Sequence, residues 1–418
     1  METSIEIFAE PKVDSRLPSI EKASSPELTC IEFFAGIGLT HLGLSSHGWK
    51  CVYANDIEPK KKRMYESHFG PSDYYHLEDV WKTDEIVARI PFKGAELATA
   101  SFPCVDLSLA GNLKGFSGAQ SGAFHGFIKV LDNLRQQRRA PKAVLVENVI
   151  GFLSSHNGKF FRVALQELAK LGYYLDAFVV DAKHFTPQSR PRLFVIGFQR
   201  QLLAGGRNRL DSLRNGAWKL TELLQSVLRP ARLREILSKA NLKTGWVPLH
   251  LPALPTENRN LDTYIDKDNL QDWWNAARVE KHLAEMHSYH RDRIERLKGA
   301  SELTVGTIYR RVRGGKSKSE IRTDGLAGCL RTPRGGSSKQ IVLVAGKGSI
   351  RMRWMTPREY ARLQGCPDFP INVDRNEALF GFGDAVCVPV IGWIAENVLT
   401  QLFPVASRSC QFQQAAGD

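Results

Sequence analysis

The segment Cys30-Ile31-Glu32-Phe33-Phe34-Ala35-Gly36-Ile37-Gly38-Leu39-Thr40-His41-Leu42 begins as a strand and ends as a helix. Cys30 to Phe34 is an apolar, β-rich run, and Leu39 to Ser46 carries helical spacing. Phe34-Ala35-Gly36-Ile37-Gly38 lies between them, where glycines let the backbone approach a ligand while helix N–H groups face it. The pattern is not Gly-x-Gly-x-x-Gly, because position 41 is His41, and two glycines alone would serve equally as a tight structural turn. A second strand, Lys50 to Ala54, follows, with Asp56 at its end. An acid there can accept hydrogen bonds from ribose hydroxyls. Turn and acid together predict a nucleoside pocket.

Outward from this point the same alternation continues. Pro59 to His68 reads as a helix, Leu97 to Ser101 as a short strand, Ala123 to Arg138 as a helix and Ala143 to Val146 as a strand. Lys159 to Leu171 places Phe160, Phe161, Ala164, Leu165, Leu168 and Leu171 at the period of one buried helical face. Tyr174 to Val180 and Leu193 to Phe198 read as two more strands. This is the pattern of an α/β domain with a parallel sheet covered by helices. After Phe198 the alternation is lost. Gln199 to Arg207 is basic, Val247 to Pro255 is rich in proline, Asp272 to Leu297 reads as one charged helix, and Tyr309 to Lys318 is a run of Arg and Lys. From Arg351 the first texture returns, with helices over Thr356 to Gln364 and Val388 to Leu402. The division expected is a tail over 1–28, a first domain over 29–200, an inserted, mostly irregular second domain over 201–345, a return segment over 346–403 and a tail over 404–418.

A chain of 418 residues exceeds the usual span of one core. Its 57 Lys and Arg against 44 Asp and Glu, a formal +13, favour a polyanionic partner without naming it. The seven cysteines are scattered, with no Cys-x-x-Cys pair, which points to reduced thiols. Residues 1–28 contain no apolar core of a signal peptide, and no later stretch is expected to be long and apolar enough to span a membrane. A soluble, cytoplasmic monomer is the expectation.

Four further segments carry chemistry. Asp79, in Glu78-Asp79-Val80, could accept from an amino group at a third edge of the pocket. Cys104, in Ser101-Phe102-Pro103-Cys104, follows a strand and so lies at the edge where open α/β sheets hold ligands. Glu147, in Glu147-Asn148-Val149, ends the strand Ala143 to Val146, and a charge directly after four apolar residues is costly to bury unless paired. Gln188-Ser189-Arg190-Pro191-Arg192 enters another strand with Arg190 and Arg192 two residues apart, on one face.

In order and approximate spacing, the Phe-x-Gly-x-Gly turn, Pro-Cys, Glu-Asn-Val and Gln-x-Arg-x-Arg resemble the cytosine-5 DNA methyltransferases. Thr356-Pro357-Arg358-Glu359-Tyr360-Ala361-Arg362-Leu363-Gln364-Gly365 and Gly383-Asp384-Ala385-Val386 are similar to two late elements of the family. The resemblance spans nearly all of residues 29 to 402. It implies a Rossmann-like, S-adenosylmethionine-dependent methyltransferase domain, with a mixed, mostly parallel sheet and helices on both faces, and a smaller inserted target-recognition domain. It further implies that Cys104 is the nucleophile that adds to carbon 6 of cytosine, that Glu147 is the acid near ring nitrogen 3, and that Arg190 and Arg192 hold the base oxygen and nearby anions. Phe34, Gly36, Gly38, Asp56, Ile57, Asp79, Val80, Pro103, Asp384, Ala385 and Val386 would hold S-adenosylmethionine, leaving S-adenosylhomocysteine as product. Arg310, Arg311, Arg313, Lys316, Arg331 and Arg334 would contact duplex DNA, whose cytosine must be flipped out of the stack.

Two positions and one loop depart from the family. Asp384 stands where Asn is usual, Ile57 where Trp is frequent, and the loop Gly115 to Phe124 has Gln120 and Ser121 in place of the usual Asp and Arg. No metal is expected, since of His282, His287 and His290 only the last two share a helical face. A modification enzyme of a restriction-modification or related defence system is the reading, with a cognate restriction endonuclease as its further partner. A tRNA cytosine-5 methyltransferase and a catalytically silent DNA-binding regulator on the same fold are the alternatives.

Overall fold

The computed structural model describes residues 27–103, 122–203, 225–256, 260–267, 272–313, 316–333 and 338–403. Cys104 and Arg334 lie outside them, as do the expected terminal tails up to residue 26 and from residue 404.

Among the described residues, seven strands form one sheet: β1 Leu28–Phe33, β2 Trp49–Asp56, β3 Tyr75–Leu77, β4 Leu97–Ala100, β5 Ala143–Val149, β6 Tyr174–Asp181 and β7 Pro191–Phe198. Their order is β3-β2-β1-β4-β5-β7-β6. The pairs from β3 to β5 are parallel. β7 runs antiparallel to both β5 and β6. From β1 the strands are added first on one side, as β2 and β3, and then on the other, from β4 onward, which makes the carboxyl edge at β1 a switch point where ligands bind.

Strand side chains alternate between two buried layers. Ile31, Phe33, Ala98, Val144 and Val146 pack with Phe127, Leu131, Phe161 and Leu165 of the helices Ala123–Gln136 and Lys159–Lys170. Cys30, Ala54, Leu97 and Leu145 face the opposite layer, with Leu39, Met64 and Ile391. There the helix Leu39–Ser45 meets the returning helix Val388–Ile394 so closely that a Cβ on Gly43 would lie 2.6 Å from Cβ of Ile391. The return of the chain to its first domain therefore follows from packing. The run Arg375–Leu402 is long and apolar enough by composition to cross a membrane, contrary to the expectation that no stretch is. Most of it is buried here, and the helix is interrupted at Ala385–Cys387.

A second sheet, in the order β11-β10-β8-β9, contains β8 Thr304–Arg313, β9 Lys316–Arg322, β10 Ile341–Gly346 and β11 Ser349–Trp354, all antiparallel. A sheet replaces the mostly irregular structure expected, because the basic run at 309–318 is a hairpin whose charges conceal its alternation. The expected helix over Asp272 to Leu297 is two, Ala276–Ala284 and Ser288–Lys298, separated where His287 caps the second. One face of this sheet, with Ile308, Leu343 and Met352, packs on those helices. The other, with Val305, Val342 and Val344, joins the core of the first domain.

Two expected boundaries fall inside continuous structure. The helix Ala231–Lys239 buries Leu233, Ile236 and Leu237 in the first domain's core. Arg229 donates to Asp176 of β6, and both side chains are fully buried. Residues 225–251 thus extend the first domain. At the other end the chain stays in the second sheet through Trp354, so position 345/346 lies within the β10–β11 hairpin.

Candidate active site

The turn after β1 is built from left-handed residues: Phe34, Gly36 and Gly38 have φ of 57°, 60° and 83°. The N–H of Ala35 donates to the Asn55 carbonyl at 2.9 Å, and that of Gly36 to Oδ2 of Asp56 at 3.0 Å. Asp56 Oδ1 accepts from the N–H of Glu58 at 2.9 Å. Asp56 therefore braces the glycine turn from the neighbouring strand, a task its sequence position did not reveal. A Cβ on Gly38 would lie 2.6 Å from Tyr65 and Phe69, whereas one on Gly36 would meet nothing closer than 3.9 Å. Gly38 thus serves packing, and Gly36 is the glycine whose surroundings stay open.

Beside this turn, Ile57 is 69% exposed, with Leu77 and Trp81 also exposed. An exposed apolar side chain at the end of a buried strand is a surface on which a flat ring can rest. One oxygen of Asp79 accepts from the N–H of Trp81 at 3.0 Å, and Val80 packs against Gly126. Lys61, which the sequence reading missed, lies 4.0 Å from Asp56 and 3.1 Å from Asp384. It supplies the counter-charge for an acid at position 384 and ties the return segment to the turn. Nothing in the spacing of a lysine-rich helix start, Lys60-Lys61-Lys62, singles out the middle residue.

Further along the same edge, Asn148 donates to the Phe102 carbonyl at 3.2 Å and accepts through Oδ1 from the N–H of Val149 at 2.8 Å. It fixes the strand end that leads through exposed Pro103 to residue 104. In the register of β5 and β7, Arg192 lies opposite Val149 and so diagonal to Glu147 on one face. Its Nε is 3.0 Å from Oε1 of Glu147, each side chain being about 13% exposed or less. Burial raises the Glu147 carboxyl above its ordinary range, against the pull of Arg192, Arg190 and the Ser101 hydroxyl, with Asp384 adding to the rise.

Arg190 is held differently from the expectation. It is 2% exposed, and its Nη groups donate to the carbonyls of Leu330 at 2.8 Å, Gly383 at 3.1 Å and Ala385 at 2.5 Å. It therefore clamps the return segment, and Gln188 joins it by donating to the Leu363 carbonyl at 2.9 Å. Arg190 and Arg192 both approach Cys329, but only Arg192 reaches Glu147, because Arg190 precedes β7 and turns into the core. The late element is structural too: Glu359 pairs with buried Arg353 at 2.6 Å and closes a capping box with Thr356.

Of the expected DNA contacts, Arg310, Arg311 and Arg313 lie on β8 and Lys316 on β9, while Arg331 lies outside the strands. Arg311 is exposed and its guanidinium sits 4.7 Å from the centre of the Tyr309 ring. Arg313 and Lys316 pair across the β8–β9 turn, and Arg331 is exposed. Arg310 is instead half-buried, 5.5 Å from the centre of the Trp354 ring. Arg278 and Lys339 also approach that ring, at 5.6 and 5.9 Å, beside a recess of about 580 Å³ that includes Lys281 and His282. His282 packs 4.5 Å from the centre of the Trp274 ring, and among the described residues no cluster of three or more His, Cys, Asp or Glu is arranged to hold a metal.

An open, mostly parallel sheet with an antiparallel strand between β5 and β6, and a glycine turn braced by an acid, defines an α/β methyltransferase of the S-adenosylmethionine-dependent class. The family model described as C-5 cytosine-specific DNA methylase matches residues 28–400, so the chain belongs to that family and is an enzyme of the DNA (cytosine-5-)-methyltransferase class. The Type II methyltransferase M.HpaII of Haemophilus parainfluenzae is 27% identical over 91% of this chain and 93% of its own. M.HhaI of Haemophilus parahaemolyticus, also a Type II methyltransferase, is 26% identical over 90% and 95%. In fold, the crystal structure of Dnmt2 methyltransferase from S. pombe is similar, with a TM-score of 0.56 and 16% identity over 90% of this chain and 99% of that one.

Proposed function

We propose that the chain methylates carbon 5 of a flipped-out cytosine in a specific duplex DNA sequence, as the modification enzyme of a restriction-modification or related system. The observation that carries this reading is the Glu147–Arg192 pair, on the same sheet edge as the Gly36–Asp56 turn. One end of that edge suits a nucleoside and the other a pyrimidine.

S-adenosylmethionine fits the first end. Gly36 leaves room for close approach, Ile57 offers an apolar surface, and Phe34, Gly38, Asp56, Asp79, Val80, Pro103 and Asp384 to Val386 complete the wall. When bound it supplies an electrophilic methyl group. At the other end, Cys104 is proposed to add as thiolate to carbon 6, which makes carbon 5 nucleophilic. Glu147 neutralises the charge that builds on the ring by donating a proton at nitrogen 3, a role that requires the raised carboxyl described above. Arg192 orients Glu147 and can reach the base oxygen. Arg190 acts as a positioning residue through Gly383 and Ala385. A base then takes the carbon-5 proton, the freed electron pair expels the Cys104 thiolate from carbon 6, and nitrogen 3 returns its proton to Glu147, which completes the turnover.

Flipping the base costs a few kcal/mol. Phosphate contacts from Arg311, Arg313, Lys316, Arg331 and Arg334, with the cations gathered at Trp354, offset it. Transfer of labelled methyl to duplex DNA and to tRNA tests the substrate: label in DNA with a reproducible sequence context by bisulfite sequencing is expected, and label in tRNA alone overturns the reading.

A further inference from the structure

Cys329 stands beside both arginines of the Gln-x-Arg-x-Arg segment. Its position follows from a short parallel bridge, in which the N–H of Ser189 donates to the Ala327 carbonyl at 3.0 Å and that of Ala327 to the Pro187 carbonyl at 2.7 Å. Two residues on, Cys329 Sγ lies 3.4 Å from Nη1 of Arg190 and 3.8 Å from Nη2 of Arg192. Arg192 thus reaches Glu147 through Nε and Cys329 through Nη2.

Two buried guanidiniums side by side need anions. Arg190 meets carbonyls rather than a carboxylate with its Nη groups, and its Nε is a buried donor without a partner among the described residues. Asp181 is the other acid near Arg192, and Asp384 the other acid near Glu147, while Arg331 adds a third cation near Cys329. If Glu147 carries a proton, as its proposed role demands, the pair of arginines loses its nearest negative charge.

We propose that Cys329 is a positioning residue of the methyl transfer: as a thiolate it shares Arg192 with Glu147 and takes up part of the charge of both arginines, so that Glu147 retains its proton. The inference rests on the reading of Glu147 as the acid. Burial alone would push the Cys329 thiol up, but Arg190, Arg192 and Arg331 together hold it below its ordinary value.

The full chain permits two measurements. Alkylation of Cys329 by iodoacetamide, followed on its own peptide by mass spectrometry as a function of pH, should show a midpoint clearly below the value of about 8.5 for a free thiol. In Cys329→Ala the unshared Arg192 pulls Glu147 down, so the fall of single-turnover methyl transfer with rising pH should begin about one pH unit lower. Cys329→Asp, with a lasting anion, should restore the profile, and S-adenosylmethionine affinity should not change in either variant. Alkylation like an ordinary thiol, or a Cys329→Ala profile that superimposes on the parent's, overturns the inference. Full activity of Glu147→Gln would instead overturn the underlying reading of Glu147.

Discussion

Arg192 reaches Oε1 of Glu147 with its Nε at 3.0 Å from the neighbouring antiparallel strand, and neither side chain has more than a small fraction exposed. Glu147→Gln keeps the shape and removes the proton donor, so single-turnover methyl transfer should fall by roughly 10²-fold or more while S-adenosylmethionine binding is kept. Since the acid form is the active one, the rate declines as pH rises through the pKa of Glu147, which burial has raised. Arg192→Met removes a charge that opposes this rise. It should lower the rate and also move the alkaline limb to higher pH, which a full pH profile would record. A limb that moves the other way would sink the assignment.

Much of this edge is legible in the sequence because its acids stand at or near the carboxyl ends of strands. Glu147 follows the buried run Ala143 to Val146 within β5, and Asp56 is the last residue of β2, so period and position suffice to bring them to one edge. Lys61, Cys329 and the clamp made by Arg190 are not legible in the same way. They depend on segments separated by up to about 320 residues meeting in space, as Lys61 and Asp384 do. The second sheet was hidden for another reason. Tyr309-Arg310-Arg311-Val312-Arg313 reads as solvated charge, yet Arg310 and Arg311 lie over the rings of Trp354 and Tyr309.

Gly38 and Gly36 should respond differently to the same substitution. Gly38→Ala places a methyl group 2.6 Å from the Tyr65 and Phe69 rings at a φ of 83°. Overpacking and left-handed strain together should cost about 2 to 5 kcal/mol. Gly36→Ala meets only ordinary contacts at 3.9 Å and should cost about 1 to 2 kcal/mol from strain alone. Urea unfolding of the two variants separates these costs. S-adenosylmethionine titration should show the reverse emphasis, with Gly36→Ala weakening binding more than its stability loss explains.

Arg311 is exposed beside Tyr309 near the β8–β9 turn. If it contacts a phosphate, Arg311→Ala should weaken binding to all duplex sequences alike and reduce the slope of log affinity against log salt by about 1. Fluorescence anisotropy at several salt concentrations, with cognate and unrelated duplexes, measures both. An unchanged slope would remove Arg311 from the interface.

Glu32 sits in β1 beneath the glycine turn, 3% exposed, with Oε2 lacking a partner among the described residues. Burial pushes its carboxyl up to about 8, against hydrogen bonds from Thr40 and His41, with the charge of Asp56 raising it further. The unfolded chain releases this proton near the ordinary value of 4.5, while the folded chain keeps it to about pH 8. Across that window the folded state binds more protons, so stability falls as pH rises, by about 1.4 kcal/mol per unit. Below the window both states are protonated and the term vanishes; above it both are ionised and the loss is complete. Glu32→Gln cannot ionise and should be the more stable protein at pH 7, by about 3 kcal/mol as an upper bound. The gap should widen with pH across the window and then level off. Chemical denaturation at a series of pH values gives the gap directly, and a gap independent of pH would show that Glu32 is already ionised in the fold.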